Sequence, residues 1–174
     1  MSEVQDAFRR SMRQVASSVC VIAAGGAAGR VGITATSVCS VSMVPPLVLA
    51  CINAGSLSHD ELVGSGWFSV NVLAGAQQDV ADVFAGRSAQ RGEQRFHLPG
   101  VAWREGPHGV PMLEQAVATL ACRIVQRVPA GTHSILIGEV AEARTAEGVR
   151  PLLYLEGQYH ALPRAAAGRP ACTA

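Results

Sequence analysis

The sequence predicts a mainly β protein: an antiparallel barrel with flanking helices. Three observations carry that expectation. About seven apolar runs rich in β-branched residues recur along the chain. Most are joined by Gly, Pro or Asn turns, too short to carry a crossover helix between parallel strands. Helical spacing of apolar residues occurs at only two places, the N-terminus and the middle. A length of 174 residues fits one domain, expected over residues 1–162, able to bury a core without disulfide or metal staples.

In residues 4–15, Val4, Ala7, Phe8, Met12 and Val15 recur at helical spacing among Arg9, Arg10 and Arg13, which predicts an amphipathic helix with one face on the body. CVIAA (20–24), a Gly-rich turn (25–29) and VGITATSV (31–38) read as a two-stranded hairpin. The Pro45-Pro46 pair cannot sit in a central strand, so LVLACIN (47–53) begins a third strand after it, and WFSVNVL (67–73) forms a fourth. QQDVADVF (77–84) is a short helix, and the polar stretch 86–94 is expected to be a mobile loop able to act as a lid. AVATLACRIVQRV (116–128), the turn PAGT and HSILIGEVAEAR (133–144) form the clearest hairpin. A last strand is expected near 152–155, and the tail 163–174 is expected to fray or be disordered.

Charge and composition exclude several function classes. The net charge of +1 offers no field for nucleic acid or an anionic membrane. No run is long enough to span a bilayer and the N-terminus is charged, which predicts a soluble, cytoplasmic protein. All 14 basic side chains are Arg, so Schiff-base chemistry, a Lys general base and a P-loop lysine are absent. Cys20, Cys39, Cys51, Cys122 and Cys172 form no C-x-x-C pair, which argues for reduced thiols and no metal site. GGAAG (25–29) lacks the spacing of a dinucleotide loop. With no hydrolase or metalloenzyme motif present, the chemistry is expected to belong to an organic cofactor.

The densest functional signal is GITATSVCSVSMVPPLVLACINAGSLSHDEL (32–62). Thr34, Thr36, Ser37, Ser40, Ser42, Asn53, Ser56 and Ser58 supply neutral donors and acceptors with few charges. That chemistry suits a polar ring system and a phosphate held without a metal. GITATSVCSVSMVPPLVLACIN, SLSH (56–59), FSVNVL (68–73), RF (95–96), GTHSILIGEV (131–140) and LLYLEGQY (152–159) together resemble the flavin reductase-like family, with its FMN-binding split barrel. Its members include the reductase components of two-component flavin monooxygenases.

The resemblance covers residues 8–162. It implies a homodimer that binds FMN or FAD, takes hydride from NADH or NADPH, and releases reduced flavin to a separate oxygenase. It further implies that Thr34, Ala35, Thr36 and Ser37 meet the polar edge of the flavin ring. Ser40, Val41, Ala50, Cys51, Asn53, Ser56 and His59 would line the ring, side chain and phosphate, with Ser56 the best phosphate ligand. Arg95 and Phe96 would close over the ligand as anion clamp and stacking face. His133 would position the nicotinamide as the catalytic residue, and Tyr159 would contact the dinucleotide. Two departures stand out: Met43-Val44 and Thr132 occupy positions where relatives carry an acid. A flavin-binding protein of the same fold without nicotinamide-dependent activity is the alternative, and a monomeric barrel is the alternative to the dimer.

Overall fold

The computed structural model of the chain describes residues 2–26 and 29–163. Its elements are α1 (Glu3–Met12), β1 (Ser17–Ser18), β2 (Cys20–Gly26), β3 (Gly29–Ala35), β4 (Val38–Met43), β5 (Pro46–Asn53), α2 (His59–Gly64), β6 (Trp67–Val72) and α3 (Gln78–Phe84). Then come a 3-10 turn (Gly92–Phe96), β7 (Trp103–Glu105), β8 (Pro111–Leu113), β9 (Ala118–Ala130), β10 (His133–Thr145), β11 (Leu152–Leu155) and β12 (Gln158–Ala161).

Seven strands make one antiparallel sheet in the order β3-β2-β6-β9-β10-β5-β4. The sheet curls until β3 comes close to β5. Its two edge strands, β3 and β4, do not pair with each other. The expected mainly β architecture is therefore present, with the wall left open along one seam. Small sheets β1-β11-β12 and β7-β8 brace it from outside.

Strand β2 explains the layering. Its residues 20–24 are an unbroken apolar run, and all are buried, as expected of a strand covered on both faces. Ile22 points inward with Ile33, Ile52, Phe68, Val70 and Leu136, and α2 covers this interior with Leu62 and Val63. Val21 and Ala23 point outward against Val80, Val83 and Phe84 of α3, together with Phe96 and Leu113. Cys20 and Cys122 belong to the interior, where burial pushes both thiols up to about 12. They behave as small hydrophobes. A Cβ on Gly138 would stand 2.6 Å from the Phe68 ring, so glycine is required where the β9–β10 register shifts.

One buried polar joint ties β6 to β8. The Asn71 amide donates to the Val21 carbonyl at 3.1 Å and to Ser69 Oγ at 2.9 Å, while its Oδ1 accepts from the Leu113 N–H at 2.8 Å. Ser69 Oγ donates its one proton onward to the Pro111 carbonyl, with the Ala23 carbonyl 3.3 Å away. Every strong group of the pair is satisfied, which is what makes two polar side chains tolerable inside an apolar wall.

Several expectations need correction. The run 31–38 is not one strand: β3 stops at Ala35, the chain bends at Thr36, and β4 starts at Val38 as a new edge strand on β5. Helix α1 forms, capped by Ser2 with Gln5, yet none of its residues is buried and Val4, Phe8 and Met12 face outward. The segment 86–94 is not wholly loop, since its end enters the 3-10 turn. The tail from residue 164 lies outside the described residues. Among the described residues no helix is long and apolar enough to cross a membrane, and no group of three or more His, Cys, Asp or Glu could hold a metal.

Asn71→Ala removes a donor and an acceptor and strands the Leu113 N–H. It is expected to lower unfolding stability by about 1–3 kcal/mol, read from the urea midpoint at unchanged m-value.

Candidate functional site

The site begins where the ladder ends. At the seam, Thr36 has no strand partner, and Ser37 is held only through its carbonyl, which accepts from the Cys51 N–H at 3.0 Å. Beside this corner lies a cavity of about 700 Å3 whose polar lining includes Thr34, Asn53, Ser56, Ser58, Arg91 and Arg95. A smaller recess of about 180 Å3 continues from it, sharing Thr34 and Ala85 and reaching Ala35, Thr36, Arg87, Tyr154 and Tyr159.

The turn after β5 builds the far wall. Asn53 Oδ1 accepts from the Gly55 N–H at 2.8 Å, and Ser56 Oγ accepts from the Ser58 N–H at 3.2 Å. These side-chain turns fix the loop without a glycine-rich motif. Ser56 keeps its own O–H to donate. Ser58 is buried: its hydroxyl donates to the Gly32 carbonyl at 3.3 Å and accepts from Arg95 Nη2 at 3.2 Å.

Arg95 is held from three sides by neutral groups. Nη1 donates to the Gly32 carbonyl at 2.9 Å, Nε donates to the Gly92 carbonyl at 3.3 Å, and the guanidinium lies 5.3 Å over the Phe84 ring. Burial, and after it the charge of Arg91, hold its pKa below the ordinary guanidinium value. Gly32 makes this possible: a Cβ there would stand 3.0 Å from the Phe84 ring and 3.2 Å from the Ile22 carbonyl.

The two candidate histidines lie at the β5–β10 pairing, and neither lines the cavity or the recess. His133 lies opposite Asn53, exposed, with Nδ1 2.9 Å from Thr132 Oγ1. The hydroxyl of Thr132 thus sets the orientation of that ring. His59 bridges Ser134 Oγ at 2.9 Å and Asp60 Oδ1 at 2.7 Å. In the recess, Arg87 pairs with Asp82 at 3.2 Å and stands 5.8 Å over Tyr159, which meets Tyr154 edge-on at 5.3 Å. Burial, then the Asp82 charge, push the Tyr159 phenol up.

Thr34, Asn53, Ser56 and Arg95 meet around the larger cavity, and Thr34, Ala35, Thr36 and Tyr159 around the recess. Ser37 and Cys51 flank the seam, Ser37 exposed and Cys51 half-buried. The Thr34 hydroxyl itself is turned to α3, donating to the Ala81 carbonyl at 2.7 Å. Other candidates are not gathered. Ala50 is fully buried inside the barrel, because alternation along β5 turns its methyl inward. Phe96 is only 3% exposed, locked between Phe84 and Trp103 at 4.9 and 5.0 Å, so it offers no face for stacking. Ser40 lines a separate apolar groove and Val41 lies on the outer surface. Sequence reasoning passed over Arg91, Arg87, Tyr154 and Ser134. Ser134 follows His133 directly, and Arg91 lies one turn before Arg95, which are the signals that point to them.

The cavity combines neutral donors near an open sheet edge with two guanidiniums that no carboxylate neutralises among the described residues. Its volume suits a small organic cofactor, and the donor set suits an uncharged polar ring carrying a phosphate. The residues present fit a flavin. A further cavity of about 740 Å3 near the β7–β8 hairpin differs, because its cations Arg30 and Arg104 are paired with Glu93 and Glu142.

Residues 12–163 match the flavin reductase like domain. The chain belongs to the flavin reductase-like family. It is 41% identical over 159 residues, 91% of this chain and 87% of the relative, to FMN reductase (NADH) RutF of Pseudomonas syringae. It is 42% identical over 165 residues, 94% and 96% of the two chains, to the 4-hydroxyphenylacetate 3-monooxygenase reductase component of Pseudomonas aeruginosa. Among solved structures it resembles Streptomyces globisporus NADH:FAD oxidoreductase SgcE6 in complex with NAD and FAD fragments, with TM-score 0.83, 31% identity, and 95% and 98% of the chains covered. BorF, the flavin reductase component of a bacterial two-component tryptophan halogenase, aligns with TM-score 0.82, 34% identity, and 91% and 98% coverage.

In this flavin reductase-family chain Gly32→Ala is expected to force α3 off β3 and loosen Arg95. Stability should fall by about 1–3 kcal/mol, measured by thermal and urea unfolding, with a larger protease-sensitive fraction around residues 86–95.

Proposed function

We infer that the chain is an NAD(P)H:flavin oxidoreductase that reduces FMN or FAD and hands the reduced flavin to a separate monooxygenase. The observation that carries this reading is the cavity at the seam, with neutral donors on one side and two unneutralised guanidiniums on the other. Similarity along nearly the whole chain to an FMN reductase (NADH) and to a monooxygenase reductase component supports it.

Hydride acceptance is the chemistry that the flavin supplies when bound. The chain's part is to bind, orient and exclude water. Backbone groups at Ala35, Thr36 and Ser37, with the Thr36 hydroxyl, face charge that develops on the ring's polar edge without moving a proton themselves. The Ser56 hydroxyl and Arg95 would hold the phosphate end, with Ser58 fixing Arg95 from behind. His133, with Nδ1 engaged by Thr132, presents its other nitrogen and ring face to the nicotinamide and positions it. Tyr159 closes the recess beside Thr36.

Two copies complete the molecule in this reading. Val41, Met43 and Val44 are exposed on and after the edge strand β4. Beside them an apolar groove of about 420 Å3 opens between β4 and the barrel interior, lined by Val38, Leu47, Val72, Leu120 and Val140. Uncovered apolar surface of this kind at a sheet edge is what a homodimer buries. A cytoplasmic location belongs to the same reading, supported by the free thiols of Cys20, Cys39, Cys51 and Cys122.

The test is nicotinamide oxidation followed by absorbance with FMN or FAD present. Flavin-dependent turnover is expected, and Thr36→Val should weaken flavin binding by a few-fold to about tenfold, the worth of one hydrogen bond. Flavin that binds but is never reduced by NADH or NADPH would favour the carrier alternative. Light scattering of the wild-type chain is expected to give twice the monomer mass and Met43→Glu to reduce it; a wild-type monomer would remove the dimer.

A further inference from the structure

Arg91 and Arg95 line the same cavity, and neither stands within ion-pair distance of a carboxylate among the described residues. The other guanidiniums near ligand-sized cavities are neutralised at home: Arg30 by Glu93, Arg87 by Asp82, Arg104 and Arg144 by Glu142. Arg91 is steered by carbonyls alone, its Nη1 donating to Gln90 at 2.9 Å and to Ser88. Arg95 is fixed by the Gly32 and Gly92 carbonyls and the Ser58 hydroxyl. Neutral acceptors orient a guanidinium without cancelling its charge. Burial first, and the neighbouring Arg91 charge after it, depress the basicity of Arg95, an unfavourable arrangement that an anion of more than one charge would relieve. Glu61 is the one carboxylate on the cavity wall among the described residues, and it pairs with neither.

We propose that Arg91 and Arg95 form a two-cation clamp for a phosphate monoester, so that this cavity selects FMN over FAD and riboflavin, with Arg91 as the residue that sets the preference. The proposal rests on the flavin reading above and adds the form of flavin to it. A phosphate monoester carries about 1.5 to 2 negative charges at neutral pH on one phosphorus, within reach of both forks of a guanidinium pair. FAD spreads its two charges over two linked phosphates, one on each. Riboflavin has none. Ser56 Oγ accepts from the Ser58 N–H and keeps its own proton, which adds one hydroxyl donor to the same cavity.

The experiment compares dissociation constants for FMN, FAD and riboflavin, by flavin fluorescence, in the wild-type chain and in Arg91→Gln and Arg91→Lys. Wild type is expected to bind FMN most tightly. Arg91→Gln should weaken FMN about tenfold or more, FAD less, and riboflavin by less than about twofold, while Arg91→Lys recovers part of the FMN affinity because the charge returns without the fork. FMN binding in wild type should also fall with added salt more steeply than riboflavin binding. The clamp is overturned if FMN affinity is unmoved by Arg91→Gln, if all three flavins weaken alike, or if wild type prefers FAD. A wild-type chain that binds none of the three would instead sink the flavin reading itself.

Discussion

The constraint on which the rest depends is the break in the sheet at Thr36 and Ser37. A β-wall that curls must either close its ladder or leave two edges. Here the edges are β3 and β4, consecutive in sequence, and the chain passes between them by bending instead of by a loop. Backbone groups at an edge have to find partners outside the ladder. Ser37 finds one in the Cys51 N–H, and Thr34 sends its hydroxyl to the Ala81 carbonyl on α3. What is left at Ala35 and Thr36 is a short stretch of main chain bordering a recess. An aromatic ring with alternating carbonyls and N–H groups meets such a stretch much as a neighbouring strand would.

The second half of the site depends on how closely α3 approaches β3. Gly32 lets the Phe84 ring sit against the strand, and Phe84 in turn supports Phe96, Trp103 and the guanidinium of Arg95. The apolar layer outside the barrel and the cation at the cavity wall are therefore one packed unit. Arg95 belongs to the 3-10 turn that Phe96 anchors in this layer. Phe96, which by residue type alone reads as a stacking face, works as the bolt beneath the arginine that does reach the cavity.

Much of the fold was legible because its strands are long apolar runs. CVIAA is buried on both sides, and the β9–β10 hairpin declares itself by its β-branched arms and Gly131 turn. What was missed has physical reasons. Strand β4 is an edge strand with a polar, exposed face, so VCSVSM carries no strong apolar period and merges on paper with the preceding TATSV. Helix α2 has six residues and no side-chain cap, and β7 and β8 have three residues each. The amphipathic signal of α1 was real, but its apolar face is left exposed among the described residues. For the site, hydroxyl-rich residues 34–58 and Arg95 were legible by type. Which way they point was not: one residue of alternation puts Ala50 inside the barrel, while Ser40 lines a separate groove and Val41, at the register shift between Ser40 and Ser42, faces out.

Holding Arg95 with carbonyls and a hydroxyl, rather than with an acid, has a thermodynamic consequence. A carboxylate partner would have made the ligand-free protein more comfortable and left nothing for an anion to gain. Instead, the guanidinium is half-buried beside a second one, an arrangement that a bound anion would stabilise. Any molecule that binds the folded chain and not the unfolded one raises stability by RT ln(1 + [L]/Kd). For an anion held by Arg95 that increment would fall on the joint between α3, the 3-10 turn and the β5–α2 loop, because Gly32 and Ser58 are the acceptors that Arg95 already holds.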